Sequence, residues 1–418
     1  MKKNIKYERM NAHMYLNPNS KLSIKMFKGI RDYLIILLLL SILLFAGFSK
    51  LTTWKARVEK TFILTVKVTY ENRDPYEKWI LTENDMTLGL FANNSWQTAY
   101  LVRVSHPIKK LIYDSDGNPL ALLNITDTAL GLNEKMSYNA TYRLVFKQRS
   151  IPVIGEDKSG ALEDIPENLR KEYCKPTGLW LSNTTIFRKK ALDIANNETK
   201  VLTIIKKFVR WIASNVIYSP SEVPKYPNET ISSHKGDCDD QANLLITLCR
   251  AIGIPAYLQI GCIYIPQYNV NRTYWSGHLI FKQKRVGWHG WAMVYIPPWG
   301  WLPVDLTYVK GDLRKETLNS IKFSAFASEY TFQYMNITKT DYVAETREFK
   351  EFLEKYKFYI YEEDEMKEVI VGEFPLEPIL VATVIVYLAI SFNRLTLASF
   401  TIMRIVYMVK CSFQNFVS

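Results

Sequence analysis

Cys238 is the residue with the most chemistry on offer. It opens the run Cys238-Asp-Asp-Gln-Ala-Asn-Leu-Leu-Ile-Thr-Leu-Cys-Arg-Ala-Ile-Gly253, which reads as a buried helix beyond its first turn. Asp237 suits the N-cap, Gly253 suits the position past the last turn, and Pro255 blocks continuation. A thiol in the first turn meets the positive end of the helix dipole, which favours the thiolate. Asp237, Asp239 and Asp240 work against it, so an active thiolate needs a cationic partner, most often histidine. His289 begins the strand-like His-Gly-Trp-Ala-Met-Val-Tyr-Ile296, the turn Pro297-Pro-Trp-Gly300 follows, and Trp301-Leu-Pro-Val-Asp-Leu-Thr307 returns with Asp305. A thiol nucleophile, a histidine base and a carboxylate that orients it form the logic of acyl transfer. A tight turn pairing residue 296 with 301 sets Ala292, not His289, opposite Asp305. That three-residue offset is roughly 10 Å, so contact requires a bulge or a longer loop, with Pro303 as a break in the ladder.

The remaining reactive residues read as structural. Cys249 shares the helical face of Cys238 but lies roughly 16 Å along the axis, which makes it a core residue. Cys174 and Cys262 fall in a connector and a strand, and nothing supports a disulfide between them. His278 has no carboxylate motif after it, and His13 and His106 lie far from the Cys238 region in the chain. The Asp237, Asp239, Asp240 cluster lacks the oxygen spacing and glycine turn of a calcium loop, so capping is its role. No metal or cofactor is expected.

Elements that position these groups can be read around them. From Val58 to about Arg149, β-branched and alternating segments (Thr61–Tyr70, Ala99–Val104, Tyr138–Phe146) separated by turns such as Asp114-Ser-Asp-Gly-Asn-Pro119 predict an antiparallel β-sandwich over 57–150. Residues 151–180 read as a connector. Residues 199–216 carry a helical period, with Val201, Ile204, Ile205, Phe208, Val209 and Ile212 on one side. Strands are expected at 256–265, 277–281, 289–296 and 301–306, which gives an α+β order.

Three motifs together resemble the transglutaminase-like superfamily, with its papain-like Cys-His-Asp core, in a membrane-anchored prokaryotic or archaeal type. Gly236-Asp-Cys-Asp-Asp-Gln-Ala-Asn-Leu-Leu with Ala251-Ile-Gly-Ile-Pro-Ala256 resembles the nucleophile helix. His289-x-Trp291 and Gly300-Trp-x-Pro-Val-Asp305-x-Thr307 resemble the His and Asp motifs, and Trp211-Ile-Ala-Ser-Asn-Val-Ile-Tyr218 resembles the helix and tyrosine that precede them. The resemblance spans roughly residues 180–310. It implies a catalytic domain over 181–312 behind the sandwich, with Cys238 as nucleophile, His289 as general base and acid, and Asp305 as orienting carboxylate. It further implies a thioester intermediate resolved by water or by a second amine. The Cys238 N–H would be one oxyanion donor and Tyr218 a candidate for the second, while Trp291 and Trp301 are candidates for a substrate channel. Gly290 stands where alanine is commoner, a departure expected to matter little.

Charge and hydropathy set the surroundings. The net charge of +12 is concentrated in the flanks: residues 1–32 carry eight Lys/Arg and two acids, and 376–418 carry three basic residues and one acid, leaving +4 for the rest. That partition removes most of the case for nucleic-acid binding, and a mean hydropathy of −0.09 excludes a polytopic transporter. Tyr33 to Ser49 is uncharged and long enough to span a bilayer, and a second apolar stretch covers 376–393. Basic residues on their far sides put the tails 1–32 and 394–418 in the cytoplasm and 51–375 outside, with 313–375 as a juxtamembrane extension. The tail 394–418 reads as cytoplasmic or interfacial. Sequons at Asn93, Asn124, Asn139, Asn183, Asn197, Asn228, Asn271 and Asn336 are eight where composition gives roughly two, and all lie in that outer segment. On an otherwise bacterial-looking architecture they point to a glycosylated archaeal cell surface. The expected protein is therefore a membrane-anchored, extracytoplasmic thiol enzyme (peptidase, amidase or transamidase) acting on a protein or peptide at the cell surface. The alternative is a catalytically silent surface protein that uses the same fold for binding.

Overall fold

The computed structural model describes residues 60–369, and within them Thr61–Phe146 and the residues from Ile151 onward form one compact unit. The first part is all strand: β1 (Lys60–Asn72), β2 (Trp79–Ile80), β3 (Thr87–Gly89), β4 (Gln97–Val104), β5 (Ile108–Tyr113), β6 (Pro119–Leu123), β7 (Ala129–Leu130) and β8 (Lys135–Phe146). Met136, Tyr138, Ala140, Tyr142 and Leu144 of β8 are buried at every second position, the period of a strand with one face in a core. Five helices and two short strands follow: α1 (Glu167–Tyr173), α2 (Thr185–Ala195), α3 (Val201–Asn215), β9 (Ile217–Tyr218), α4 (Pro227–Ser233), β10 (Lys235–Gly236) and α5 (Cys238–Ala251). The chain then alternates through β11 (Ala256–Tyr274), β12 (Leu279–Ile296), β13 (Gly300–Val304), α6 (Asn319–Lys322), α7 (Ala325–Ser328), β14 (Thr331–Ile337), α8 (Tyr342–Tyr356) and β15 (Phe358–Val369).

One eight-stranded sheet organises the unit, in the order β14-β11-β12-β15-β1-β8-β4, with β13 added to β12. Of the strand pairs in this sheet whose register is described, β12–β15 is parallel and the others are antiparallel. The sheet curls until its edges meet: Gln97 at the start of β4 donates to the Gln333 carbonyl of β14 at 2.7 Å and accepts from the Gln333 N–H at 2.7 Å. The Phe62 ring of β1 packs edge-on against Phe332 of β14 at 5.5 Å. Two cores result. Helices α3 and α5 bury Phe208, Ile212, Leu245 and Ile246 against Val294 and Ile296 on one face of the sheet. Phe62, Leu64, Tyr142, Phe332 and Met366 fill the inside of the curl.

Three expectations change. The N-terminal strands do not stand apart as a sandwich, because β1, β8 and β4 extend the same sheet as β11 and β12. Residues 151–180 are an ordered part of the core, where Ile154, Ile165, Leu179 and Trp180 are buried. Residues 331–369 are not an extension: β14 and β15 are strands of the main sheet, and β15 lies between β12 and β1. No helix among the described residues is long and apolar enough to cross a bilayer. The spans expected at 33–49 and 376–393, and the tails beside them, lie outside the described residues.

Candidate active site

Helix α5 begins one residue after its N-cap Asp237, so Cys238 is its first residue. Asp240 fixes that turn by accepting from the Asp237 N–H at 3.3 Å and from the Lys225 N–H at 2.7 Å. Gly236 is required on the way in, since a Cβ there would fall 2.8 Å from the Asp240 Cβ and 3.0 Å from Thr230 Cγ2. Beyond the first turn the helix is buried from Asp240 to Arg250, and its polar side chains are each satisfied. Asn243 accepts from Trp180 Nε1 and donates to Tyr342, while Arg250 donates to the Ala256, Lys175 and Thr338 carbonyls. The thiol itself is half-buried, with Sγ 3.8 Å from Asp239 Oδ1. Asp239 is held by the Tyr342 hydroxyl at 2.5 Å. The helix start rests on β12, where a Cβ on Gly290 would come 3.1 Å from the Asp239 Cβ.

His289 and Asp305 meet without a bulge, because the turn is one residue tighter than expected. Ile296 pairs with Gly300 and Ala292 with Val304, so Asp305, one step on, falls in line with Trp291. Opposed residues share a face, and His289 is two positions from Trp291 on that face. An offset of three would have put the two groups on opposite faces. His289 Nε2 lies 2.9 Å from Asp305 Oδ2, which also accepts from the Ala325 N–H at 3.1 Å. Asp305 Oδ1 accepts from the Thr307 and Tyr308 N–H groups at 3.1 and 3.0 Å. The remaining imidazole nitrogen, Nδ1, is then the one left for the Cys238 side chain, whose charged form the imidazole favours.

Electrostatics follow from burial and these contacts. Burial works against a charged His289, but the Asp305 carboxylate and Cys238 outweigh it and raise the imidazole to about 10. Burial likewise works against the Asp305 charge, and His289 with the two backbone donors still holds the carboxyl below its ordinary value. Burial pushes the Cys238 thiol up, and His289 pulls against it. Burial, with the neighbouring Asp239 and Asp240 carboxylates, pushes the Asp237 carboxyl well above its ordinary value. Asp237 Oδ1 is buried without a hydrogen-bond partner. Asp237, Cys238 and Asp239 bring one ligand atom each within 4.8 Å of one another, and Asp239 Oδ2 accepts from the Tyr342 hydroxyl.

The other residues singled out from the sequence divide. Tyr218 pairs with Gly236 through β9 and β10 and is exposed, while burial, with Cys238 and Asp237, raises its phenol to about 12. Trp291 walls no open channel: it is 1% exposed, packed against Met293 and Phe326 beneath His289. Trp301 is half-buried in a ring cluster with Tyr173, Tyr257 and Tyr295, four residues from Asp305. His278 is buried, hydrogen-bonded to the Phe358 carbonyl and stacked on Tyr359 at 4.4 Å. Cys174, Cys249 and Cys262 are free thiols, Cys249 and Cys262 fully buried. Asn93, Asn124, Asn183, Asn197, Asn228 and Asn271 are exposed and Asn139 is half-buried. Asn336 is half-buried, and its Oδ1 accepts from Gln259 Nε2 at 2.7 Å. Sequence reasoning missed Tyr342 and Ala325, which hold Asp239 and Asp305 from elements 20 or more residues downstream and bear no local mark of that role.

Residues 188–306 match the transglutaminase-like superfamily. No curated protein matches the sequence. Among solved structures, the chain is similar to a candidate cysteine protease from Cytophaga hutchinsonii at 15% identity and a TM-score of 0.43, over 76% of this chain and 93% of that one. It is also similar to a candidate protease from Parabacteroides distasonis at 10% identity and a TM-score of 0.23, over 68% of this chain and 69% of the other.

Proposed function

We propose, from the premise that residues 188–306 are a transglutaminase-like core, that this chain is a thiol enzyme acting on amide or peptide bonds. The observation that carries the reading is the His289–Asp305 pair, with both Asp305 oxygens engaged and the Cys238 thiol close enough for the imidazole to favour its charged form. His289, kept basic by Asp305, takes the Cys238 proton as sulfur attacks the carbonyl carbon. The oxyanion that forms is met by the Cys238 N–H, with the Tyr218 hydroxyl as the second donor. His289 then gives the proton to the departing amine nitrogen as the C–N bond breaks, leaving a thioester. Water or a second amine attacks that thioester through the same base, giving the acid or a new amide and restoring the thiol.

The same reading extends to location. Flank charges and sequons favour an anchored enzyme with its thiol site outside the cell, facing protein or peptide substrates, both termini being cytoplasmic. Two measurements test the chemistry. Iodoacetamide should alkylate Cys238 of the full-length protein near neutral pH, well ahead of the buried Cys249 and Cys262. A panel of amide substrates, run with and without a primary amine, should then yield acid alone or acid plus new amide. Slow alkylation together with no turnover would favour the silent binding protein.

A further inference from the structure

The inner face of β15 carries two acids that the sheet leaves without a cation. Strand β15 lies between β1 and β12, with Glu362 opposite Val68 and Phe281, and Asp364 opposite Val66 and Gln283. Its outward acids are matched: Glu363 pairs with Lys67 at 3.1 Å and Lys282 at 3.8 Å, and Glu365 with Lys284 at 3.1 Å, Lys367 at 3.0 Å and Arg285. Inward the pattern stops. Asp364 is 8% exposed and accepts only from Trp288 Nε1, at 2.8 Å. Glu362 has no hydrogen bond or ion pair among the described residues, and Asp364 is the neighbour that most disfavours its charge.

Both carboxyls line a cavity of about 540 Å³ inside the curl, with one side open. Rings make up much of its lining, among them Phe91, Tyr138, Tyr142, Phe281, Trp288 and Tyr334, beside aliphatic side chains such as Val66, Val68 and Leu88. The one guanidinium on the lining, that of Arg272, is exposed at the rim and turned to the Tyr274 hydroxyl at 3.3 Å. A strongly hydrated divalent ion would want six or more oxygen ligands, and this cavity is both too large and too aromatic for one. Aromatic faces around an unpaired carboxylate are instead the environment that attracts an organic cation. Burial raises Glu362 to about 8 and Asp364 to about 6 when nothing positive is present, which is the state a bound cation would reverse.

We propose that this cavity binds a primary alkylammonium group, held by Glu362 and Asp364 and enclosed by the rings of the curl. The group is either a free amine or the end of a lysine side chain on a protein, and the site works independently of the thiol chemistry. Calorimetry on the full-length protein tests it with 1,5-diaminopentane, N-acetyl-lysine methylamide, 1-pentanol and pentanoate. The ammonium probes should bind saturably, equally in wild type and in Cys238→Ala, while the neutral and anionic probes of the same length do not. Binding of diaminopentane alone assigns the cavity to free amines, and binding of both ammonium probes assigns it to protein lysines as well. Glu362→Gln and Asp364→Asn, checked for folding by circular dichroism, should each weaken binding about tenfold or more. Pentanol binding as well as diaminopentane would overturn the proposal, as would unchanged affinity in a folded Glu362→Gln. The wild-type comparison needs no variant, so a variant that fails to fold leaves the test intact.

Discussion

At the scale of single residues, two thiols on one helix separate chemistry from packing. Cys238 is half-buried at the first turn beside His289, while Cys249 is fully buried in the core. Cys238→Ala should abolish amide cleavage with the fold intact, since it removes only the sulfur. Cys249→Ala should keep activity and lose stability by roughly 1–3 kcal/mol through the small cavity it leaves. Loss of turnover in a folded Cys249→Ala protein would show that the nucleophile is misassigned. Asp305→Asn keeps the shape of the side chain but removes the charge that sustains the imidazolium. A serine triad loses about 10⁴ in turnover from the matching change, but a thiol transfers its proton more readily, so a loss on the order of 10–10³ is expected here. The sign is set by which form the carboxylate favours. Asp305 raises His289, and a protonated His289 favours the thiolate, so removing the charge moves Cys238 thiolate formation to higher pH. The pH profile of alkylation in the two proteins checks this, and superimposable profiles would reduce Asp305 to a structural residue. The types of these three residues were legible in the sequence, because each is the residue that acyl transfer demands. Tyr342 was not, since its hydroxyl reaches Asp239 from 103 positions away.

Elements carry the next layer of information, and here one residue of register decides the outcome. Helices α3 and α5 were readable from their periods and caps, and their apolar faces are buried as the pattern requires. The β12–β13 hairpin was readable as a hairpin, but its register was not. A slip of one residue moves a side chain to the other face of a sheet, and local sequence seldom fixes it to better than that. The N-terminal strands failed in a different way. Alternation in Thr61–Tyr70 reports that one face is buried but does not name the partner strand, which lies almost 300 residues downstream. Gly290 shows how closely these elements are fitted. An alanine there would bring its Cβ to 3.1 Å from both Asp239 Cβ and Ile260 Cδ1, so either the isoleucine tip or the start of α5 must give way. The Asp239 Cβ is tied to the helix backbone, and a shift of α5 lengthens the reach from Cys238 to His289. Gly290→Ala should therefore cost about 1 kcal/mol and slow Cys238 alkylation. A normal alkylation rate would show that Ile260 alone absorbs the methyl group.

For the whole molecule, closure of the curl is the feature that holds the layers together. Gln97 is fully buried and joins the two edges of the sheet through both ends of its amide. Gln97→Ala would leave the Gln333 N–H and carbonyl without these partners, a loss of about 1–3 kcal/mol that a denaturation midpoint would register. A midpoint within error of wild type would mean that the edges are held by aromatic packing alone. Topology across a membrane belongs to this scale as well. Protease treatment of intact cells should remove the segment between the apolar stretches and spare both ends, and digestion of residues 1–30 would invert the proposed orientation. The curl itself was not legible, because closure depends on where the last strand goes, and β15 reads locally as an acidic segment outside any core. Its position has a consequence for biosynthesis. Strand β1 is translated first and β15 near the end, yet β15 is the strand that joins β1 to β12. Until residue 369 has left the ribosome, β1 and the first half of β12 each lack one neighbour, and the ring-lined cavity lacks the wall that carries Glu362 and Asp364. A transcript cut short before that point would yield a chain with open strand edges, liable to be caught by quality control.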